Sequence, residues 1–193
     1  ELVDGDSLMW VIPCRYDPDH PVIFDCVQSI IGHHPDAKIV VVYSNSEDKS
    51  YMKDLRAWDV TTIDARNEHY GPGAFQWAYD TYLDEQFFYC IFDSLLVCDN
   101  LDDLQQFPCT SVRHFHTPPT GWGWNEDTGQ PLQDWALTHG LHRVPERFVG
   151  VMGPMLIAER RVFRTAHLFR TLPTNRYEQC ALERMWGIWL QQA

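Results

Sequence analysis

The sequence predicts an α/β domain built on a mainly parallel sheet with helices on its faces. Three observations predict it. Short apolar runs rich in β-branched and aromatic residues alternate with segments of helical period, in the order β-α-β-α-β-α-β. The first, third and fourth runs give way to polar clusters: Arg15-Tyr16-Asp17, then Asp64 to Glu68, then Asp93-Ser94. The fourth run, Gln86 to Cys98 (QFFYCIFDSLLVC), is apolar enough for a central strand buried on both faces, and only Asp93 and Ser94 break it.

Each element has its own local reason. Ser7 to Tyr16 (SLMWVIPCRY) reads as a first strand ending at Pro13. Val22 to His34 carries apolar residues at 22, 23, 26, 27, 30 and 31, which is helical spacing. Lys38 to Tyr43 (KIVVVY) is a second buried strand, closed by the turn-forming Ser44-Asn45-Ser46. Asp48 to Trp58 reads as a short helix and Val60 to Ile63 as a third strand. Gly71-Pro72-Gly73 then leads into a helix over Ala74 to Leu83, with aromatics at 75, 77, 79 and 82. Beyond the fourth run, Thr110 to His116 reads as a strand and Thr117 to Gln130 (TPPTGWGWNEDTGQ) as a long loop. Arg147 to Ala158 (RFVGVMGPMLIA) is strand-like, with glycines that permit close backbone approach. Asn175 to Leu190 closes the chain as a helix whose apolar face is Leu182, Met185, Trp186 and Trp189.

Composition bounds the rest. At 193 residues, 45% apolar and 13% aromatic, the chain is expected to form one globular domain over 1–193. No apolar run has the length of a membrane span, and no signal-peptide pattern opens the chain. Because it opens on Glu1 rather than Met, it is expected to be trimmed or to belong to a larger multidomain chain. The net charge of −12 argues against a nucleic-acid surface, whose affinity depends on Lys and Arg meeting phosphates. Six cysteines without CxxC pairing read as reduced thiols of a cytoplasmic compartment. His33-His34 and His114-x-His116 lack the partners of a zinc site.

A carboxylate inside an apolar run is costly unless something needs it. Asp93 is therefore placed at the carboxyl end of its strand, where open α/β sheets bind ligands. It would act there as a metal or nucleotide carboxylate; the plainer reading is a cap that turns the strand.

Three signatures, in this order, carry a resemblance. They are Gly73-Ala74-Phe75-Gln76-Trp77-Ala78, then Phe92-Asp93-Ser94-Leu95, then Phe148-Val149-Gly150-Val151-Met152 paired with Glu183-Arg184. Together they resemble glycosyltransferases of the GT-A (Rossmann-like) fold, above all the small chlorella-virus capsid-glycosylating enzymes. The resemblance implies transfer of a sugar from a nucleoside-diphosphate sugar, UDP-sugar favoured, to a glycan or glycoconjugate acceptor. The nucleotide-sugar half would be about 1–100 and the acceptor half about 101–193. It also implies Mn²⁺ or Mg²⁺, with Asp93 as the protein's ligand, although Leu95 stands where such enzymes place a second Asp.

Carried over residue by residue, the resemblance gives Pro13, Arg15, Asp64, Arg66, Asn67, Gly73, Asp93, Ser94 and Arg184 contacts to the nucleotide sugar. Glu183 is the first candidate for the base that takes the acceptor's proton, with Glu126 and Asp127 as rivals and Glu178 behind them. Trp122 and Trp124, expected to be exposed, would stack on acceptor sugars, with His116 beside them. The rival reading is a degenerate GT-A scaffold that binds nucleotide or glycan without turnover.

Overall fold

The computed structural model describes residues 8–44, 48–117 and 119–193. Ser7, the turn residues Asn45 and Ser46, and Pro118 lie outside them. In chain order the elements are β1 Leu8–Cys14, α1 Val22–His33, β2 Lys38–Tyr43, α2 Tyr51–Arg56, β3 Thr61–Ile63, α3 Tyr70–Thr81 and β4 Phe87–Cys90. There follow β5 Cys109–Ser111, β6 His114–Thr117, β7 Trp124–Asn125, β8 Gln130–Pro131 and α4 Leu132–Thr138. The chain ends with β9 Phe148–Val151, β10 Leu156–Glu159, α5 Arg160–Thr165 and α6 Arg176–Gln192.

The main sheet has the order β3-β2-β1-β4-β10-β5. Strands β3, β2, β1 and β4 are parallel, and β10 runs antiparallel to both β4 and β5. Side chains alternate between two cores, as the period of two demands. Met9, Val11, Val40, Val42, Phe88, Cys90, Leu156 and Ala158 face α3, α5 and α6. Trp10, Ile12, Cys14, Ile39, Val41, Tyr89 and Ile157 face α1 and α2. The α/β class read from the sequence is the one observed: a largely parallel central sheet flanked by helices.

Several boundaries move, each for a local reason. β1 runs one residue past Pro13, to Cys14. Pro13 pairs in register with Val42, while β4 has ended at Cys90, the partner of Val11. The Ser44 amide donates to the Cys14 carbonyl and the Ile91 amide to the Val11 carbonyl. Pro13 therefore turns its missing N–H toward the side where β4 has already stopped, and no ladder bond is lost. Helix α3 starts at Tyr70, so Gly71-Pro72-Gly73 forms its first turn instead of preceding it; Pro is tolerated there because those N–H groups have no helical partner.

The stretch Thr110 to His116 is two strands in different sheets. β5 joins the main sheet, while β6 pairs antiparallel with β9 in a separate two-stranded sheet. Arg147 to Ala158 likewise divides into β9 and β10 around a turn where Gly153 has φ +66°. Part of the expected long loop is a small hairpin, β7 against β8. Helix α6 begins after Asn175, whose side-chain oxygen accepts from the Glu178 amide as an N-cap. Its predicted apolar face, Leu182, Met185, Trp186 and Trp189, is buried.

Candidate functional site

The chain starts at β1, moves outward through β2 to β3, and then returns to place β4 on the other side of β1. The carboxyl ends of β1 and β4 thus form a topological switch point, where an open α/β sheet leaves a crevice. A cavity of about 630 Å³ lies at this edge. The end of β1 contributes Pro13 and Arg15, and the turn after β4 contributes Phe92 and Asp93. The end of β2 gives Ser44, the loop after β3 gives Asn67 and Glu68, and α3 opens with Tyr70 and Gly71. Thr174 and Gln179, just before and just inside α6, close the wall.

Two side chains organise that wall. Asn67 is buried; its Nδ2 donates to Ser44 Oγ at 2.9 Å and to the Tyr70 carbonyl at 2.6 Å, and its Oδ1 accepts from the His69 amide at 2.9 Å. It ties the ends of β2, β3 and α3 together, and its hydrogen-bonding groups are engaged inside the protein. Gly71 lies against the Phe92 ring and Gly73 against the Asn67 amide, so that a Cβ at either would collide with these groups. His69 Nδ1 donates to the Pro173 carbonyl at 3.1 Å, fastening the segment before α6 to the start of α3.

Asp93 sits three residues past Cys90, the last paired residue of β4. Burial pushes its carboxyl above the ordinary aspartate value, while hydrogen bonds from the Cys14 thiol and the amides of Arg15, Asp93 and Ser94 pull the other way. The neighbouring thiols respond to the same surroundings. Burial, then the Asp93 charge, raises Cys14, and the same two causes push Cys26 up to about 12. Both thiols are therefore kept protonated at neutral pH.

Glu183 lies on the α6 face that carries Gln179 one turn earlier. Its Oε1 accepts from the Gly153 amide at 3.1 Å, and Gly153 packs on the Phe92 ring that lines the cavity. Burial raises its carboxyl above the ordinary glutamate value, opposed by the Gly153 hydrogen bond and the Arg184 charge. Arg184 points elsewhere. Its guanidinium donates to the carbonyls of Cys180 (2.5 Å) and Gly121 (3.3 Å) and lies 5.3 Å from the centre of the Phe115 ring.

Of the residues singled out from the sequence, the cavity gathers Pro13, Arg15, Asn67 and Asp93. Arg66 and Gly73 border a separate, smaller cleft with Trp77 and Leu172. The Gly73 amide is occupied by the His69 carbonyl at 3.1 Å. Asp64 forms an exposed ion pair with Lys49 at 2.7 Å, which holds its carboxyl below the usual range. Ser94 is exposed beside Asp93 and gives its amide to that carboxylate. Glu126 accepts from the Tyr177 hydroxyl at 3.0 Å, and Asp127 lies beside it in the exposed β7–β8 turn. His114 and His116 are exposed and their rings meet edge-on.

Trp122 corrects an expectation. It is 2% exposed and packs on Phe148 with ring centres 5.5 Å apart, so it has no free face for a sugar. Trp124, two residues on, is 63% exposed. Tyr70, Thr174 and Gln179 were not anticipated as cavity residues. Thr174 and Gln179 reach the strand ends only because the chain returns from β10 and α5, and no local spacing signals that return.

The described residues contain no group of three or more His, Cys, Asp or Glu side chains able to hold a metal ion by themselves. The carboxylates in the cavity are Asp93 and Glu68. Hard cations accept one or two carboxylates when substrate phosphates complete the shell. The donor set therefore fits a cation shared with a bound diphosphate, and does not fit a cation held by protein alone.

A largely parallel, helix-flanked sheet with its cavity at the switch point is a GT-A or Rossmann-like arrangement. No family model matches this chain, and no curated protein matches it. Among solved structures, the crystal structure of S. aureus TarS 1-349, a GT-A fold glycosyltransferase, is similar to it. The TM-score is 0.51 at 10% sequence identity, over 93% of this chain and 55% of that one. The chain thus spans about half the length of that structure, and the likeness is one of fold. It does not single out the chlorella-virus enzymes. No described helix is long and apolar enough to cross a membrane.

Proposed function

We propose that this domain transfers a glycosyl group from a nucleoside-diphosphate sugar, UDP-sugar favoured, to a carbohydrate acceptor. The observation that carries the reading is the 630 Å³ cavity at the switch point of a GT-A-like sheet, lined by Arg15 and Asp93. Arg15 is the one Lys or Arg among its described lining residues, and a guanidinium suits a diphosphate. In the transfer an acceptor hydroxyl forms a bond to the anomeric carbon. The bond from that carbon to the diphosphate oxygen breaks, and the electron pair leaves with the nucleoside diphosphate. Arg15 faces the charge that grows on this leaving group.

Glu183 is the proposed base for the acceptor's proton. Its raised carboxyl makes it a stronger base than an exposed glutamate, and Gly153 fixes its position against the cavity wall. Glu126 and Asp127 rank behind it because their hairpin turn is exposed and Glu126 already holds Tyr177. A Mn²⁺ or Mg²⁺ ion bound between Asp93 and the diphosphate would supply Lewis-acid stabilisation. Trp124, with His116, offers the acceptor a surface. The six free thiols support a reducing, cytoplasmic setting.

Leu95, standing in place of a second Asp, favours one rival: a scaffold that binds nucleotide without turnover. A thermal-shift screen of UDP, GDP, dTDP and CDP, each with and without Mn²⁺, tests both readings. The transferase reading expects one nucleotide to raise the melting temperature, a metal-linked part of that rise to vanish in Asp93→Ala, and the matching nucleotide sugar to be turned over. Binding without release of nucleoside diphosphate in the presence of glycan acceptors would support the scaffold. An unchanged metal-linked shift in Asp93→Ala would refute the role given to Asp93.

A further inference from the structure

We infer that the cleft outside α3 is a second carbohydrate-binding site, one that holds a neutral sugar unit of a glycan chain and is distinct from the switch-point cavity. The cleft has a volume of about 260 Å³ and lies between the loop after β3, the outer face of α3 and the segment before α6. Arg66 and His69 come from the loop, Gln76, Trp77 and Asp80 from α3, and Leu172 from the segment. Asn67 lies in the wall between cleft and cavity. The chain passes from one to the other between Leu172 and Thr174, where His69 holds the Pro173 carbonyl.

The spacing on α3 builds one wall. Ala74, Phe75 and Ala78 face the core, which leaves Gln76, Trp77 and Asp80 together on the other side of the helix. That side of a surface helix is ordinarily polar, and an indole there presents apolar surface. Trp77 is half-buried, and its one ring contact among the described residues is with Tyr82, edge-on at 80°. Part of the indole is therefore left to the cleft. Gly73 lets the helix close on the opposite wall, since an added Cβ would run into the Asn67 amide and His69.

The polar groups define the ligand. The Arg66 guanidinium, the Gln76 amide and the Asp80 carboxylate form no hydrogen bond or ion pair among the described residues, so all three are free to bind. Each is planar and can meet two neighbouring hydroxyls at once. Arg66 and Asp80 carry opposite charges, which cancel across the cleft and favour neither an anion nor a cation. A flat apolar patch beside planar donors and acceptors of balanced charge suits a pyranose, whose C–H face packs on the indole while its hydroxyls meet the polar groups. The switch-point cavity differs, with Arg15 against two carboxylates and no tryptophan among its described lining residues. A glycan held in the cleft stays beside that cavity, which raises its local concentration there.

The test titrates the protein calorimetrically with maltohexaose, cellohexaose and the hexamer of N-acetylglucosamine, and with a hyaluronan hexasaccharide as the anionic counterpart, each with and without saturating UDP. At least one neutral hexasaccharide is expected to bind, equally well with UDP present, and more tightly than hyaluronan. Trp77→Ala should weaken that binding about fivefold or more. Because this variant also loses packing, a second one carries Gln76→Ala and Asp80→Ala; it should melt like wild type and bind about threefold or more weakly. UDP affinity should stay within about twofold in both variants, since no altered side chain lines its cavity. No binding of any neutral hexasaccharide, displacement of the glycan by UDP, tighter binding of hyaluronan, or unchanged glycan affinity in either variant would overturn the assignment. UDP titrations of wild type report on the transferase reading separately: a protein that binds glycan in this cleft and no nucleotide keeps the site and loses that reading.

Discussion

Gly187→Ala should cost this protein more than any other single methyl group on α6. The helix crosses β9 at Gly187, where an added Cβ would lie 2.8 Å from both the Val149 carbonyl carbon and the Gly150 Cα, and nearer still to the Val149 carbonyl oxygen. These are backbone atoms of a paired strand, so no rotamer change relieves the contact. The helix would have to lift by on the order of 1 Å, and overpacking of that kind costs about 1–3 kcal/mol or more. The upper part of the range applies here, because the same helix buries Leu182, Met185, Trp186 and Trp189, and lifting it loosens them all. At about 2–4 °C per kcal/mol for a chain of this size, the melting temperature should fall by roughly 6–12 °C. Urea unfolding followed by tryptophan fluorescence reads the loss directly, since Trp186 and Trp189 report on that interface. Because Gln179 and Glu183 ride on the same helix, nucleotide binding should weaken in parallel. A variant within about 0.5 kcal/mol of wild type would refute the close crossing of α6 over β9.

Two further outcomes follow from the same geometry. Glu183 has its folded carboxyl raised by burial, so the native state holds its proton to higher pH than the unfolded chain does. Stability from this group is therefore highest at and below the ordinary glutamate value, falls as pH rises to the raised value, and is flat above it. Glu183→Gln, which keeps an acceptor for Gly153, should gain on wild type over that window in urea titrations at several pH values. It should also lower turnover about 10²- to 10⁴-fold with little change in nucleotide affinity; a stability difference that does not vary with pH would refute the buried-carboxyl account. Arg160 donates to the carbonyls of Glu85 at 2.9 Å and of Tyr79 and Tyr82 at 2.6 Å, with its guanidinium stacked on the Tyr79 ring. Arg160→Met leaves all three carbonyls without it and should cost about 2–4 kcal/mol in chemical denaturation; Arg160→Lys should recover only part, because an ammonium lacks the planar fork.

The first half of the chain was legible because its signals are local. Each strand from β1 to β4 is a short run whose apolar period contrasts with the helix beside it, and β2 falls on Lys38–Tyr43 as read. Strand ends in such a sheet share one edge, so Arg15, Asn67 and Asp93 were expected together at one crevice and line it, whereas Asp64, Arg66 and Ser94, expected there on the same ground, do not. The second half follows a different logic. Alternation along Thr110 to His116 is the same whether the residues stay in one sheet or change sheets at Val112-Arg113. Only the pairing partners, β10 for one piece and β9 for the other, decide it. Trp122 was misread for the same reason. A tryptophan between glycines has no local requirement to be buried, and it is Phe148, twenty-six positions on, that covers it. The cavity repeats the pattern. Its strand-end wall can be read from runs and their polar stops, whereas Thr174 and Gln179 arrive through β10, α5 and the His69–Pro173 hydrogen bond. Where the wall depends on contacts between distant segments, the residues that complete it carry no mark of their own. Tyr70 shows both sides of this: its position before Gly71-Pro72-Gly73 is plain in the sequence, but its left-handed backbone, φ +55°, exists only where the Asn67 side chain holds the Tyr70 carbonyl.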